Sequence, residues 1–132
     1  LLNNIIISES DNQERLAAVI SLGMIADTSS VNYLIKILDD EEANLRWDAA
    51  ISLTKLGRTE GLLILKKLLD RNYYLNFDKV DSNEINNSIL TVLALISKFP
   101  DQIFHEELKI LAEVEKNIKI REFAMKLVAE YY

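Results

Sequence analysis

The chain repeats itself. One fixed offset lays Arg15 on Arg46, Ala18 on Ala49, Ile20 on Ile51, Ser21 on Ser52 and Leu22 on Leu53. It then lays Leu34 on Leu65, Leu38 on Leu69 and Asp39 on Asp70. Self-similarity at this period restricts a chain to stacked supersecondary units, each burying its apolar face on its neighbours. Extended backward, the offset puts Ile7 on Leu38, so residues 1–8 read as the tail of a second helix. Forward of position 72 the period breaks. A longer offset matches 85–97 to 45–57, and 120–124 repeats 45–49, which leaves an insert at 73–82.

The repeating unit is helical. Apolar residues recur at steps of three and four: Leu16, Val19, Ile20; Val31, Leu34, Ile35, Leu38; Leu45, Ala49, Leu53, Leu56. Only three glycines and one proline punctuate the chain, too few for a fold rich in tight turns. Helices are expected near 1–8, 11–26, 28–38, 43–57, 59–71, 83–98, 101–115 and 117–131. The expected organisation is a single helical-repeat domain, 1–132. It comprises the tail 1–8, repeats 11–40 and 41–72, the insert 73–82, a divergent repeat 83–116, and the first helix of a last repeat at 117–132.

The pattern Leu45-Arg46-x-x-Ala49-x-x-x-Leu53-x-x-x-Gly57, followed by Leu65, Leu69 and Asp70, resembles the HEAT-like repeats of the phycobilisome-lyase type. Arg15-x-x-Ala18-x-x-x-Leu22-Gly23 and Ile120-Arg121-x-x-Ala124 look like further copies. The third unit departs from the pattern, with Asn86 in the arginine position and Ile89 in the alanine position. The resemblance implies an all-α fold, an α-solenoid (superhelix) of stacked antiparallel helix pairs, HEAT-like or armadillo-like. It also implies that the arginines and aspartates of the pattern are structural.

An arginine in the first turn of a helix meets the positive end of the macrodipole, at a cost of about 0.3–1 kcal/mol. The preceding loops carry Glu9 and Asp11 before Arg15, and Asp39, Asp40, Glu41 and Glu42 before Arg46. A ladder of arginine–carboxylate pairs is therefore expected, which the five-donor guanidinium fork suits. Ala18, Ala49 and Ala124 are expected to let facing helices approach closely. Trp47 is expected to sit wedged between neighbouring repeats.

Charge narrows the function. Fifteen basic against twenty-one acidic residues, a net −6, opposes binding to nucleic acid and to an anionic membrane surface. No apolar run reaches the length of a membrane helix, and the first ten residues lack the basic and cleavage regions of a signal peptide. A cytoplasmic protein is expected. Cysteine is absent, which removes disulfides and thiolate metal sites. His105 is the single histidine, followed by Glu106 and Glu107. HEAT-like diiron hydroxylases use repeated His-Glu pairs, and one copy does not build such a site. No G-x-S-x-G, Cys–His pair or glycine-rich phosphate loop occurs, and the acidic run 39–42 lacks the glycine and ligand spacing of a calcium loop. The expectation is a non-enzyme with no catalytic residue, cofactor or metal.

What remains is surface. In stacked helix pairs the second helices line the concave side. If Val31, Leu34, Ile35 and Leu38 face the core, then Asn32, Tyr33 and Lys36 face outward, and the offset turns these into Leu63, Ile64 and Lys67. An apolar strip flanked by lysines suits a protein or peptide; equally, Leu63 or Ile64 packs against the insert. The insert carries Tyr73, Tyr74 and Phe77, which read either as a contact loop or as a plug over the divergent pair. The favoured function is a non-catalytic protein–protein interaction scaffold using the concave face. The alternative is an accessory domain of an enzyme or lyase system that holds a substrate protein or chromophore. The first segment, LLNNIIIS, lacks its partner helix, and the last helix carries Ile120, Phe123, Ala124, Leu127, Val128 and Tyr131 with no second helix to cover them. Membership of a longer array and weak end-to-end self-association are expected.

Overall fold

The computed structural model describes residues 28–131. The expected helices at 1–8 and 11–26, with Arg15 and Ala18, lie outside the described residues. Helices α1 (Thr28–Ile37), α2 (Ala43–Lys55), α3 (Leu62–Leu68), α4 (Ser82–Lys98), α5 (His105–Val114) and α6 (Ile118–Tyr131) follow one another. Short 3-10 segments stand at Arg71–Asn76 and Gln102–Phe104. The described residues contain no strand, so the fold is all-α. The chain divides into two compact units, one up to Ile64 and one from Leu65.

In the first unit α1 packs on α2. Leu34, Ile37, Leu45, Ala49 and Leu53 form the buried cluster. Of the expected inward face of α1, Leu34 belongs to the cluster, and Val31, Ile35 and Leu38 pack against it. The fully buried line of α1 is Ser30, Leu34 and Ile37, whereas Val31, Ile35 and Leu38 are only half-buried. Residues at i, i+4 and i+7 share one stripe of a helix, and that stripe faces α2. The 31/35/38 line falls on its flank.

Glycine sets both ends of the turn after α2. Gly57 has a φ of 78°. Its N–H donates to the Thr54 carbonyl at 2.9 Å, while the Arg58 N–H donates to the Leu53 carbonyl at 2.9 Å. These two bonds are the Schellman closure, which needs a left-handed residue at Gly57. Gly61 answers a different demand. A Cβ there would stand 2.6 Å from the Ala50 Cα, so the chain crosses α2 at backbone contact. The helix expected over 59–71 starts only at Leu62, after this crossing, and ends at Leu68.

In the second unit α6 is the shared partner, packed against both α5 and α4. Leu93, Ile96, Phe104, Leu108, Ile120 and Leu127 are buried there. Each such side chain is worth about 1.5–3 kcal/mol relative to exposure. Asp81 caps α4 by accepting the Glu84 N–H at 2.8 Å, and Asn117 accepts the Ile120 N–H at 3.1 Å at the start of α6. Ile89, the large residue in an alanine position, is fully buried, as is Ala124. Of the α6 residues expected to lack cover, Ile120, Ala124 and Leu127 are buried, Phe123 and Val128 are half-buried, and the exposed Tyr131 donates its hydroxyl to the Ser97 carbonyl at 3.2 Å.

Candidate functional site

The loops share one local device. Asp40 accepts the Glu42 N–H at 2.9 Å, Asp70 that of Asn72 at 2.9 Å, Asp101 that of Ile103 at 2.9 Å, and Glu115 that of Asn117 at 3.1 Å. An acid bonded two residues ahead turns the chain out of one helix and toward the next. This gives the recurring acids a structural reason.

The arginine of the pattern is held differently from the expectation. Arg46 donates through Nη1 to the backbone carbonyls of Asp40 at 2.8 Å and Glu41 at 3.0 Å. Within its own loop it meets main-chain oxygens rather than carboxylates. The turn presents those carbonyls to the guanidinium while the Asp40 carboxylate bonds the Glu42 N–H.

The divergent unit keeps a guanidinium by importing one. Asn86 stands in the arginine position, and its Oδ1 accepts from Nη2 of Arg71, the first residue of the 3-10 segment. Arg71 Nε donates to both oxygens of Glu115 at 2.9 Å, and its Nη2 lies 2.7 Å from Glu115 Oε1. Burial works to raise the Glu115 pKa. The hydrogen bonds from Arg71 and from the Asn117 N–H, together with the Arg71 charge, outweigh it and hold the carboxyl below its ordinary value.

The insert folds inward. Tyr74 is corrected as a contact residue: it is 2% exposed, and its hydroxyl donates to the Leu68 carbonyl at 2.6 Å. Burial pushes this phenol far above its ordinary pKa. Tyr73 meets Tyr74 and Phe77 edge-on, at ring separations of 5.8 and 5.2 Å, and both Tyr73 and Phe77 are half-buried. The large apolar residue that the insert displays is Leu75, 80% exposed. Sequence reading passed over it in favour of the aromatics.

The two candidate columns are placed as follows. On α1, Asn32 and Lys36 are exposed, while Tyr33 is half-buried and packs on the core cluster. Lys36 Nζ lies 5.5 Å from the centre of the Tyr33 ring, a cation–π contact. On α3, Leu63 and Lys67 are exposed and Ile64 is half-buried. Trp47 is buried, as an interior wedge would be.

A groove of about 760 Å³ opens within the second unit. One wall is the α5 face carrying Glu107, Ile110, Leu111 and Val114; the other includes Arg71 and Asn86. Ile110 and Val114 are 54% and 68% exposed. They occupy the divergent repeat, where the offset used to project the columns does not hold. The sequence signal was nonetheless present: Ile110 and Val114 stand one turn apart, beside the buried line Leu108–Leu111.

His105 is exposed at the start of α5. Among the described residues no group of three or more histidines and carboxylates converges to hold a metal ion, and no helix is long and apolar enough to cross a membrane.

No curated protein matches the sequence. A family model described as HEAT repeats matches residues 1–75, more than half the chain, and HEAT repeats commonly mediate protein–protein interaction. The match spans the two units joined by the shorter offset, and within it the α1–α2 packing and the arginine-bearing turn stand as described. The chain therefore belongs to the HEAT-repeat family of all-α helical-repeat proteins.

Proposed function

We propose that the chain is a non-catalytic scaffold that binds a protein partner through the groove of its second unit. The observation that supports this reading is the exposure of Ile110 and Val114 along one groove wall. Aliphatic side chains left in water gain about 1.5–3 kcal/mol each on full burial, and such patches favour contact with another chain. The polar groups of the opposite wall are paired with one another, Arg71 with Glu115 and Asn86, which favours binding over chemistry. Lys67, exposed in the same unit, is a further contact residue; Asn32, Lys36 and Leu63, exposed in the first unit, are separate candidate contact residues. Placement with the phycobilisome-lyase type rests on the Leu45-Arg46-x-x-Ala49 spacing.

The test is affinity capture from the source cells with the wild-type chain and with the double variant Ile110→Ser/Val114→Ser. A partner retained by the first and lost by the second, at matched thermal stability, supports the groove. Identical captured sets overturn it.

A further inference from the structure

Helix α6 buries one side and shows an apolar stripe on the other. Ile120, Ala124 and Leu127 are buried, where α6 packs against α5 and α4. Ile118 and Met125 are 60% and 52% exposed, and Ala129 is exposed as well. Positions 118, 125 and 129 stand at i, i+7 and i+11. They form one stripe of the helix, turned away from the buried 120/124/127 line. Isoleucine gives this stripe a fixed shape, and methionine gives it one that adapts to whatever packs there. Neither residue lines the groove of the same unit.

The charge around the stripe runs against the charge of the chain. In a chain of net −6, α6 carries Lys119, Arg121 and Lys126 against Glu122 and Glu130. Lys119 and Lys126 each follow a member of the apolar pair by one position, so both flank the stripe on the same side, and both are exposed. Arg121 flanks it on the other side. Among the described residues no ion pair engages Lys119 or Arg121. Lys126 Nζ lies 3.9 Å from Glu130, but a pair between exposed side chains holds neither partner firmly. Glu122 lies within the stripe and opposes a polyanion laid along it. The few bases present also fall short of the phosphate contacts that hold a protein on nucleic acid at physiological salt.

We infer that the outer face of α6 docks an acidic amphipathic helix of a partner protein. Its aliphatic side chains, recurring at three and four residues, pack on Ile118 and Met125. Its flanking aspartates or glutamates meet Lys119 and Lys126. Helix-on-helix packing is how the rest of this unit buries its apolar surface, and the basic flank selects the sign of the partner. Binding here is independent of the groove reading above.

The experiment selects a phage-displayed library of helical peptides, built on a fixed helix scaffold with one randomised face, against the full chain. Enriched peptides are synthesised with a dye and titrated by fluorescence anisotropy. The expected consensus sets aliphatic residues at helical spacing beside aspartate or glutamate. Affinity should fall about tenfold in Ile118→Ser/Met125→Ser, a change at exposed positions whose fold circular dichroism checks. In Lys119→Glu/Lys126→Glu the acidic peptide should also lose about tenfold, and a lysine-flanked version of it should gain. Enriched peptides without acids, affinities unchanged in either double variant, or a library without enrichment overturn the assignment. Self-association in sedimentation that Ile118→Ser/Met125→Ser abolishes also overturns it, because a second copy is then the occupant. Displacement of the peptide by single-stranded RNA at physiological salt overturns it in favour of a nucleic-acid surface. The capture experiment with Ile110→Ser/Val114→Ser tests the groove separately.

Discussion

Arg71 and Glu115, 44 residues apart in sequence, are joined by two hydrogen bonds of 2.9 Å from a single Nε–H. Glu115 is almost wholly buried at this contact, its side chain 5% exposed. The pair supplies the divergent unit with the guanidinium that Asn86 does not provide.

Arg71→Ala strands a buried carboxylate, and a loss of about 1–3 kcal/mol is expected, measured by denaturant titration. The pH dependence follows in sign. The folded pKa of Glu115 lies below its ordinary value. The stability it contributes is therefore present above the unfolded carboxylate pKa and is lost as pH falls through the lowered folded one. The stability gap between wild type and Glu115→Gln, full at about pH 7, should close as pH falls below the ordinary carboxylate range. A gap independent of pH would refute the pairing.

Gly61→Ala should destabilise by about 1–3 kcal/mol, because its Cβ meets backbone rather than a yielding side chain. Trimming the neighbour does not help: Ala50→Gly removes a Cβ but leaves the Cα that stands at 2.6 Å. The double variant should melt no higher than Gly61→Ala alone. Recovery in the double variant would show that the clash is with the side chain.

Tyr74→Phe should cost about 0.5–1.5 kcal/mol through loss of the bond to the Leu68 carbonyl, while Leu75→Ser, at an 80% exposed position, stays within about 0.5 kcal/mol of wild type. Burial keeps the Tyr74 phenol protonated to higher pH than a phenol in water. An ultraviolet titration should therefore lack one tyrosine until the chain unfolds in base. A Tyr74 that ionises in the folded chain as a phenol in water does would place it at the surface.

Arg46 separates two accounts of the repeat arginine. Because it binds the Glu41 carbonyl and not that residue's carboxylate, Glu41→Gln should leave the melting temperature unchanged. Arg46→Ala should lose about 1 kcal/mol, and Arg46→Lys should not restore it, since one ammonium does not reproduce the fork. A Glu41→Gln loss equal to that of Arg46→Ala would reinstate the carboxylate ladder.

The sequence was legible where one unit copies another. The offset that lays Arg15 on Arg46 also located α2 and the aspartate at the end of the second helix, Asp39 on Asp70, because each answers a local demand shared by the two repeats. It failed where the demand was set by tertiary contact. On α1 the period groups Val31, Leu34, Ile35 and Leu38, all of which meet the cluster, and only packing on α2 makes Leu34 and Ile37 its fully buried members. The late start of α3 follows from Gly61 touching Ala50, a distance no sequence pattern encodes. The Arg71–Glu115 pair was invisible because the 3-10 segment that begins at Arg71, and not the aligned position 86, delivers its cation. The exposed aliphatics of α5 were passed over because the columns were carried forward from repeats whose register ends at the insert.

The same pair has a consequence for the order of assembly. The α5–α6 contact closes through the short connection 115–117, so little loop entropy opposes it, and local pairings of this kind form early. Arg71 reaches Glu115 only after the far longer stretch between them has been gathered in, which places the clasp late on the route to the native state. An interaction absent from the transition state governs escape rather than arrival. Stopped-flow traces of Arg71→Ala should thus show a refolding arm that overlays the wild type and an unfolding arm that is shifted upward. The segment Arg71–Asn76, by carrying this arginine, acts as a latch on a structure that has already formed.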